Sequence, residues 1–234
     1  MTTTKTIEMK QTPFDLDALG EPHLPVLLLL DTSASMKGKP MEELISGFNL
    51  FIDQTAADEL AMKRVDVAVM TFSGAEGVKL IEDFKPLSKM VEAPPLELTA
   101  DGNTPMGEAI ERAVGVLRDR CRVYDEAGVP HYRGWIFMLT DGAPTDDITK
   151  AKELIRQRED TGRLKFFSVA VNRADVETLK SLGPRVMQCT EENRFKDVFN
   201  WLSESMTTVS ASRVGEEPGL PCLPENFRVV PTDW

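Results

Sequence analysis

Asp31, Ser33 and Ser35 are spaced two apart and stand directly behind an apolar run, Leu27–Leu30. They offer one carboxylate and two hydroxyls, oxygen donors only. Hard oxygen donors suit magnesium, manganese or calcium rather than zinc or copper. Gly38 then loosens the backbone and Pro40 opens a helix. In an open α/β sheet, ligands bind just past the carboxyl ends of the strands, and this run falls there. It reads as half of a divalent-cation site. Two later polar turns supply the other half: Thr104 ahead of Pro105, and Asp141 within Thr140-Asp141-Gly142. Two carboxylates and three hydroxyls make an oxygen-only octahedral site with room for water or an outside ligand. Hydroxyls are neutral, so the protein brings about two negative charges to a dication, which stays electrophilic and seeks an external carboxylate. The low charge and small donors favour magnesium, or manganese, over calcium.

Each piece alone has a plainer reading. Thr104 before Pro105 suits a helix N-cap, Asp141-Gly142 is a common turn pair, and the serines can simply tie down a strand-to-helix turn. The ordered set of five is what argues for a site.

The elements that must hold these residues alternate between strand and helix. Val26–Leu30 is apolar at every position, as a central parallel strand covered on both faces is. Trp135–Leu139 is a second such strand, expected beside the first, so that Asp31 and Asp141 converge. Met41, Leu44, Ile45, Phe48, Phe51 and Ile52 mark the buried face of a helix over Pro40–Leu60. Val65–Phe72 and Val78–Phe84 are joined by five residues, too few for a parallel crossover of about a dozen, so they pair antiparallel with the second at the sheet edge. A proline-rich loop, Lys85–Asn103, precedes a helix starting at Thr104-Pro105. Helices over Asp146–Asp160 and Val176–Leu182 alternate with strands over Leu164–Val171 and Val186–Gln188. Phe195, Val198, Phe199, Leu202 and Met206 define a last helix. This alternation means a mostly parallel, doubly wound α/β sheet. Residues 1–23 read as an N-terminal arm with Phe14, Leu16 and Leu19 as anchors. Residues 24–208 form the domain, and 209–234 a proline-containing tail whose Phe227, Val229, Val230 and Trp234 dock on the domain or on a partner.

The formal charge of −11 argues against a nucleic-acid binder, which needs a basic face. Three cysteines, Cys121, Cys189 and Cys222, are widely spaced and form neither a disulfide framework nor a zinc motif, which points to a reducing compartment. The first residues are polar rather than a signal region, and no apolar run approaches the roughly 18 residues of a membrane helix. A cytoplasmic protein without membrane contact is expected. His23 and His131 are lone histidines in loops and read as surface residues. Neither phosphate-cradling glycine motif of nucleotide-binding folds follows the first strand.

The Asp-x-Ser-x-Ser run, the distant Thr104 and the Thr140-Asp141-Gly142 turn together resemble the metal-ion-dependent adhesion site of von Willebrand factor A domains, over residues 24–208. The resemblance implies a Rossmann-like fold with a six-stranded sheet, one antiparallel edge strand and helices on both faces. It implies metal ligation by Asp31, Ser33, Ser35, Thr104 and Asp141. In the family the hydroxyls contact the ion directly or through water, the aspartates bind it or anchor waters, and a partner's glutamate or aspartate often completes the coordination. Pro25–Lys39 and Asp101–Ala109 most resemble small bacterial proteins of the TerY or YegL type, which implies tellurite or stress-response systems with kinase and phosphatase partners. The expected role is non-enzymatic, a scaffold or regulator that binds a protein. Met36, Lys37, Asn103, Met106 and Pro144 are expected to form the partner surface beside the ion. The alternative is a magnesium-dependent phosphohydrolase with Asp31 as nucleophile. Hydrolases of that kind use Asp-x-Asp, and the second position here is Ser33, which is no general acid near neutral pH.

Overall fold

Leu24–Asp31 is buried at every residue and forms β1, an interior strand of the sheet. The computed structural model describes residues 20–172, 174–191, 195–232 and 234; the proposed anchors Phe14, Leu16 and Leu19 lie outside them. β2 (Val65–Ser73), β3 (Gly77–Pro86), β4 (Gly134–Thr140), β5 (Leu164–Ala170), β6 (Arg185–Cys189) and β7 (Phe227–Val230) complete a seven-stranded sheet in the order β3-β2-β1-β4-β5-β6-β7. β2, β1, β4, β5 and β6 run parallel, and β3 and β7 close the two edges antiparallel. The α/β, doubly wound class is as expected. The sheet has one strand more than the six expected, because the C-terminal segment pairs with β6 through Cys189↔Phe227 to Val186↔Val230. Phe227 and Val230 are buried there while Arg228 and Val229 are exposed, so this part of the tail docks on its own domain.

Alternation along β1 divides the core in two. Leu24, Val26, Leu28 and Leu30 pack toward α1 (Lys39–Ala56) and α7 (Phe195–Ala211). Leu27 and Leu29 face α4 (Met106–Ala127), α5 (Thr149–Asp160) and α6 (Val176–Leu182) on the other side. The helix expected over Pro40–Leu60 is two helices. Asp58 accepts hydrogen bonds from Leu60 N (3.1 Å) and Ala61 N (2.8 Å), and so caps a separate short helix, α2 (Glu59–Arg64). The proline-rich loop holds a five-residue helix of its own, α3 (Leu87–Val91).

At the foot of the sheet, where the parallel strands begin, a charged group is buried. Asp66 on β2 is 0% exposed; its Oδ2 accepts from Arg120 Nη2 (2.8 Å), lies 3.1 Å from His23 Nδ1, and accepts a short hydrogen bond from the Tyr124 hydroxyl. Contrary to the surface reading, His23 is 1% exposed and stacks on the Tyr124 ring. Burial alone would raise the Asp66 carboxyl, but His23 and Arg120 outweigh it and hold it below the ordinary carboxylate value of 3.8. Its contribution to stability is therefore complete at neutral pH and fades as pH falls through and below that value. Asp66→Ala should destabilise the domain by about 3–5 kcal/mol, because Arg120 stays buried without its carboxylate. Urea denaturation at neutral pH reads this cost, and the wild-type midpoint should fall steeply below pH 3.8.

Candidate metal centre

Leu30 on β1 pairs with Leu139 on β4, so the two chains leave the sheet side by side at its centre. Asp31, the last residue of β1, is 0% exposed. Its Oδ1 accepts from Ser33 N (2.8 Å) and its Oδ2 from Thr140 Oγ1 (2.5 Å). From the β4 side, Asp141 Oδ1 accepts from Ser35 Oγ (2.6 Å), and Ser35 Oγ lies 3.1 Å from Ser33 Oγ. Thr104 arrives on a third loop. A Cβ placed on Gly142 would lie 3.2 Å from Thr104 Oγ1 and 3.8 Å from Asp31 Oδ2, so the bare glycine occupies the gap between them. The structure thus brings all five residues named from the sequence to one place.

The third loop is held by backbone. Asp101 N donates to Thr32 O (3.0 Å), Ala34 N to Gly102 O (3.0 Å) and Gly74 N to Asn103 O (2.7 Å). Gly102 sits at φ +74°, and a Cβ there would meet Ala75 N at 2.3 Å, so only glycine lets this loop and the β2–β3 turn touch.

Thr104 does not cap α4. Asp146 does, accepting from Gly107 N (3.0 Å) and Glu108 N (2.9 Å) from across the chain. α5 begins at Thr149 rather than at Asp146, with Thr149 N and Oγ1 both donating to Asp147 Oδ1 (2.9 and 2.7 Å) ahead of its first turn. Thr104 Oγ1 makes no hydrogen bond to any described residue, and its side chain stays available to the centre. Thr140 and Asp146 are the positioning residues that motif spacing did not single out. Thr140 was visible only as the first residue of its turn, and Asp146 carried no signal.

The electrostatics of the site are dominated by burial of its carboxyl groups. Burial, with the neighbouring Asp141 adding to it, pushes the Asp31 carboxyl up to about 6 against its hydrogen bonds. Burial also raises Asp141. Neither carboxylate ion-pairs with a lysine or arginine among the described residues. Buried charge without a counter-charge is costly, and a bound dication would offset it. Nowhere among the described residues do three His, Cys, Asp or Glu side chains gather as a metal cluster; here three of the five donors are hydroxyls. Such a donor set fits a hard ion such as magnesium.

A family model of the von Willebrand factor type A domain matches residues 26–204. The chain belongs to that family. No curated protein matches it. Among solved structures, the A-domain chain is similar to the pilus adhesin SpaC from Lactobacillus rhamnosus GG in its open conformation, with 12% identity and TM-score 0.65 over 81% of this chain and 30% of that one. It is also similar to the PilB minor pilin from Streptococcus sanguinis, with 16% identity and TM-score 0.58 over 80% of this chain and 62% of that one. Proximal thread matrix protein 1 from the mussel byssus has 15% identity and TM-score 0.55 over 90% of this chain and 48% of that one. The chain spans less than two thirds of each, and at these identities what is shared is the fold.

In this A domain the hydroxyls of Ser33, Ser35 and Thr104 and the carboxylates of Asp31 and Asp141 would hold the ion, which would supply an electrophilic centre. Ser35, Lys37 and Asn103 are exposed around the centre and Pro144 is half-buried. Two residues expected on the partner surface are not on it. Met36 and Met106 are each 0% exposed, because the turn after Ser35 and the first turn of α4 aim them into the two halves of the core.

Titration calorimetry with magnesium checks the donor set. Asp31→Ala should abolish binding. Gly102→Ala changes no ligand yet should weaken binding by about 10- to 100-fold, the usual cost of disturbing what orients the ligands. Unchanged affinity in Gly102→Ala would show that the loop contact does not position Thr104.

Proposed function

We propose that this A domain is a protein-binding module that recognises an aspartate or glutamate of its partner through a magnesium-type ion held by Asp31, Ser33, Ser35, Thr104 and Asp141. The observation that carries this reading is two buried carboxylates set beside three hydroxyls with no cationic side chain among the described residues to balance them. The five donors supply few formal charges, so a bound ion keeps affinity for an outside carboxylate. Manganese suits the same donors; calcium suits them less.

The module spans residues 24–208, between an arm at 1–23 and the tail at 209–234. Its setting is the cytoplasm of a bacterium, in a tellurite or stress-response or phospho-signalling system, with a kinase or phosphatase as partner. The similarity of Pro25–Lys39 and Asp101–Ala109 to TerY- and YegL-type proteins supports this setting. So do the free thiols of Cys121 and Cys222, the latter exposed, which suit a reducing compartment. No helix among the described residues is long and apolar enough to cross a membrane.

The role is that of a scaffold or regulator rather than an enzyme. In the phosphohydrolase alternative Asp31 would attack phosphorus, but both of its oxygens are hydrogen-bonded and the residue is 0% exposed. No second acid stands two residues on.

Affinity capture from bacterial cytosol, with magnesium, with EDTA and with Asp31→Ala, tests the reading. A partner should be retained only by the wild type with magnesium. A partner retained in all three conditions would remove the ion from recognition. Hydrolysis of p-nitrophenyl phosphate that needs magnesium and disappears in Asp31→Ala would replace the reading with the phosphohydrolase.

A further inference from the structure

At the opposite end of the sheet from Asp31 and Asp141 lies a cavity of about 460 Å³, a volume typical of small-molecule sites. It opens between α4, the starts of β4 and β5, and the segment that follows α7. Leu117, Trp135 and Leu164 give it an apolar floor. The rim is basic: six arginine and lysine side chains line the cavity against three carboxylates, in a chain with a formal charge of −11. Clustering cations at one concave site works against self-repulsion.

The contacts at the rim show what it holds. Glu217, supplied by the segment after α7, lies 3.1 Å from Arg133 Nη1 and 3.5 Å from Lys165 Nζ, so one carboxylate already sits on two cations. Lys165 is 7% exposed, with its Nζ 5.7 Å from the Trp135 ring. Arg158 and Arg163 line the same cavity and ion-pair with no carboxylate among the described residues. Arg158 Nε is buried without a hydrogen-bond partner. An apolar floor flanked by two uncompensated guanidinium groups is complementary to a molecule that is apolar at one end and anionic at the other.

We propose that this cavity binds a small organic anion, with an aryl or branched-alkyl body on Leu117, Trp135 and Leu164 and a carboxylate, sulfonate or phosphate head on Arg158 and Arg163. Glu217 competes for the neighbouring cations from within the chain and weakens the bound anion. The site is separate from the metal centre, since the seven residues of β4 hold the two about 20 Å apart.

Fluorescence titration of the full chain with anilinonaphthalene sulfonate, an aryl sulfonate that brightens in apolar sites, is the test. Emission should saturate at one probe per chain. Benzoate and phenyl phosphate should displace the probe, the stronger competitor identifying the preferred head group. Arg163→Glu alters an exposed side chain and should weaken the probe by about tenfold, the worth of one charge-assisted contact. Glu217→Gln should tighten it. Emission that does not saturate, equal affinity in Arg163→Glu, or displacement by benzyl alcohol as strong as by benzoate would overturn the proposal.

Discussion

The parallel pairing of β1 with β4 places two strand ends side by side, and the whole upper end of the domain is fitted around what those ends carry. β1 ends in Asp31 and β4 is followed directly by Asp141, and both carboxylates are drawn out of water with no basic residue among the described ones to meet them. Only hydrogen bonds stand against that cost: Ser33 N and Thr140 Oγ1 on Asp31, Ser35 Oγ on Asp141. Ser35 is itself one of the proposed ligands. A dication entering the centre would replace hydrogen bonds to neutral donors with direct charge neutralisation.

Backbone does the positioning. The loop carrying Thr104 is tied to the first loop and to the β2–β3 turn by main-chain hydrogen bonds, and glycine at position 102 permits their close approach. Asp146 completes the division of labour by taking over the N-terminus of α4, so that the Thr104 hydroxyl is not spent on capping. A small change in any of these supports moves a donor without altering the donor set.

The two ends of the sheet differ in charge. Where the parallel strands finish, Asp31 and Asp141 have no ion-pair partner among the described residues. Where β4 and β5 start, Arg158 and Arg163 likewise ion-pair with no carboxylate among the described residues. Asp66 and Arg120 neutralise one another inside the core, whereas Arg158 and Arg163 stand at a cavity mouth. This difference in accessibility separates a structural ion pair from a candidate binding surface.

Much of this was legible from residue order. Unbroken apolar runs marked β1 and β4 as central strands, helical spacing marked the buried faces of α1 and α7, and a five-residue link identified the antiparallel hairpin. The ordered donors named the candidate ligands, since the oxygen chemistry of Asp31, Ser33, Ser35, Thr104 and Asp141 is written in their side chains. Other features depended on distant parts of the chain meeting. β7 is four residues long and has strand character only because β6 offers it a free edge. Asp146 caps a helix that begins 40 residues earlier in the chain, and His23 is buried because Asp66 and Tyr124 close over it. The arginines around the basic cavity come from α4, α5 and the connections that enter β4 and β5. Local pattern determines which face of an element is apolar and which side chains carry chemistry. Pairings between remote residues, and the charge environment they create, exist only once the sheet has been assembled.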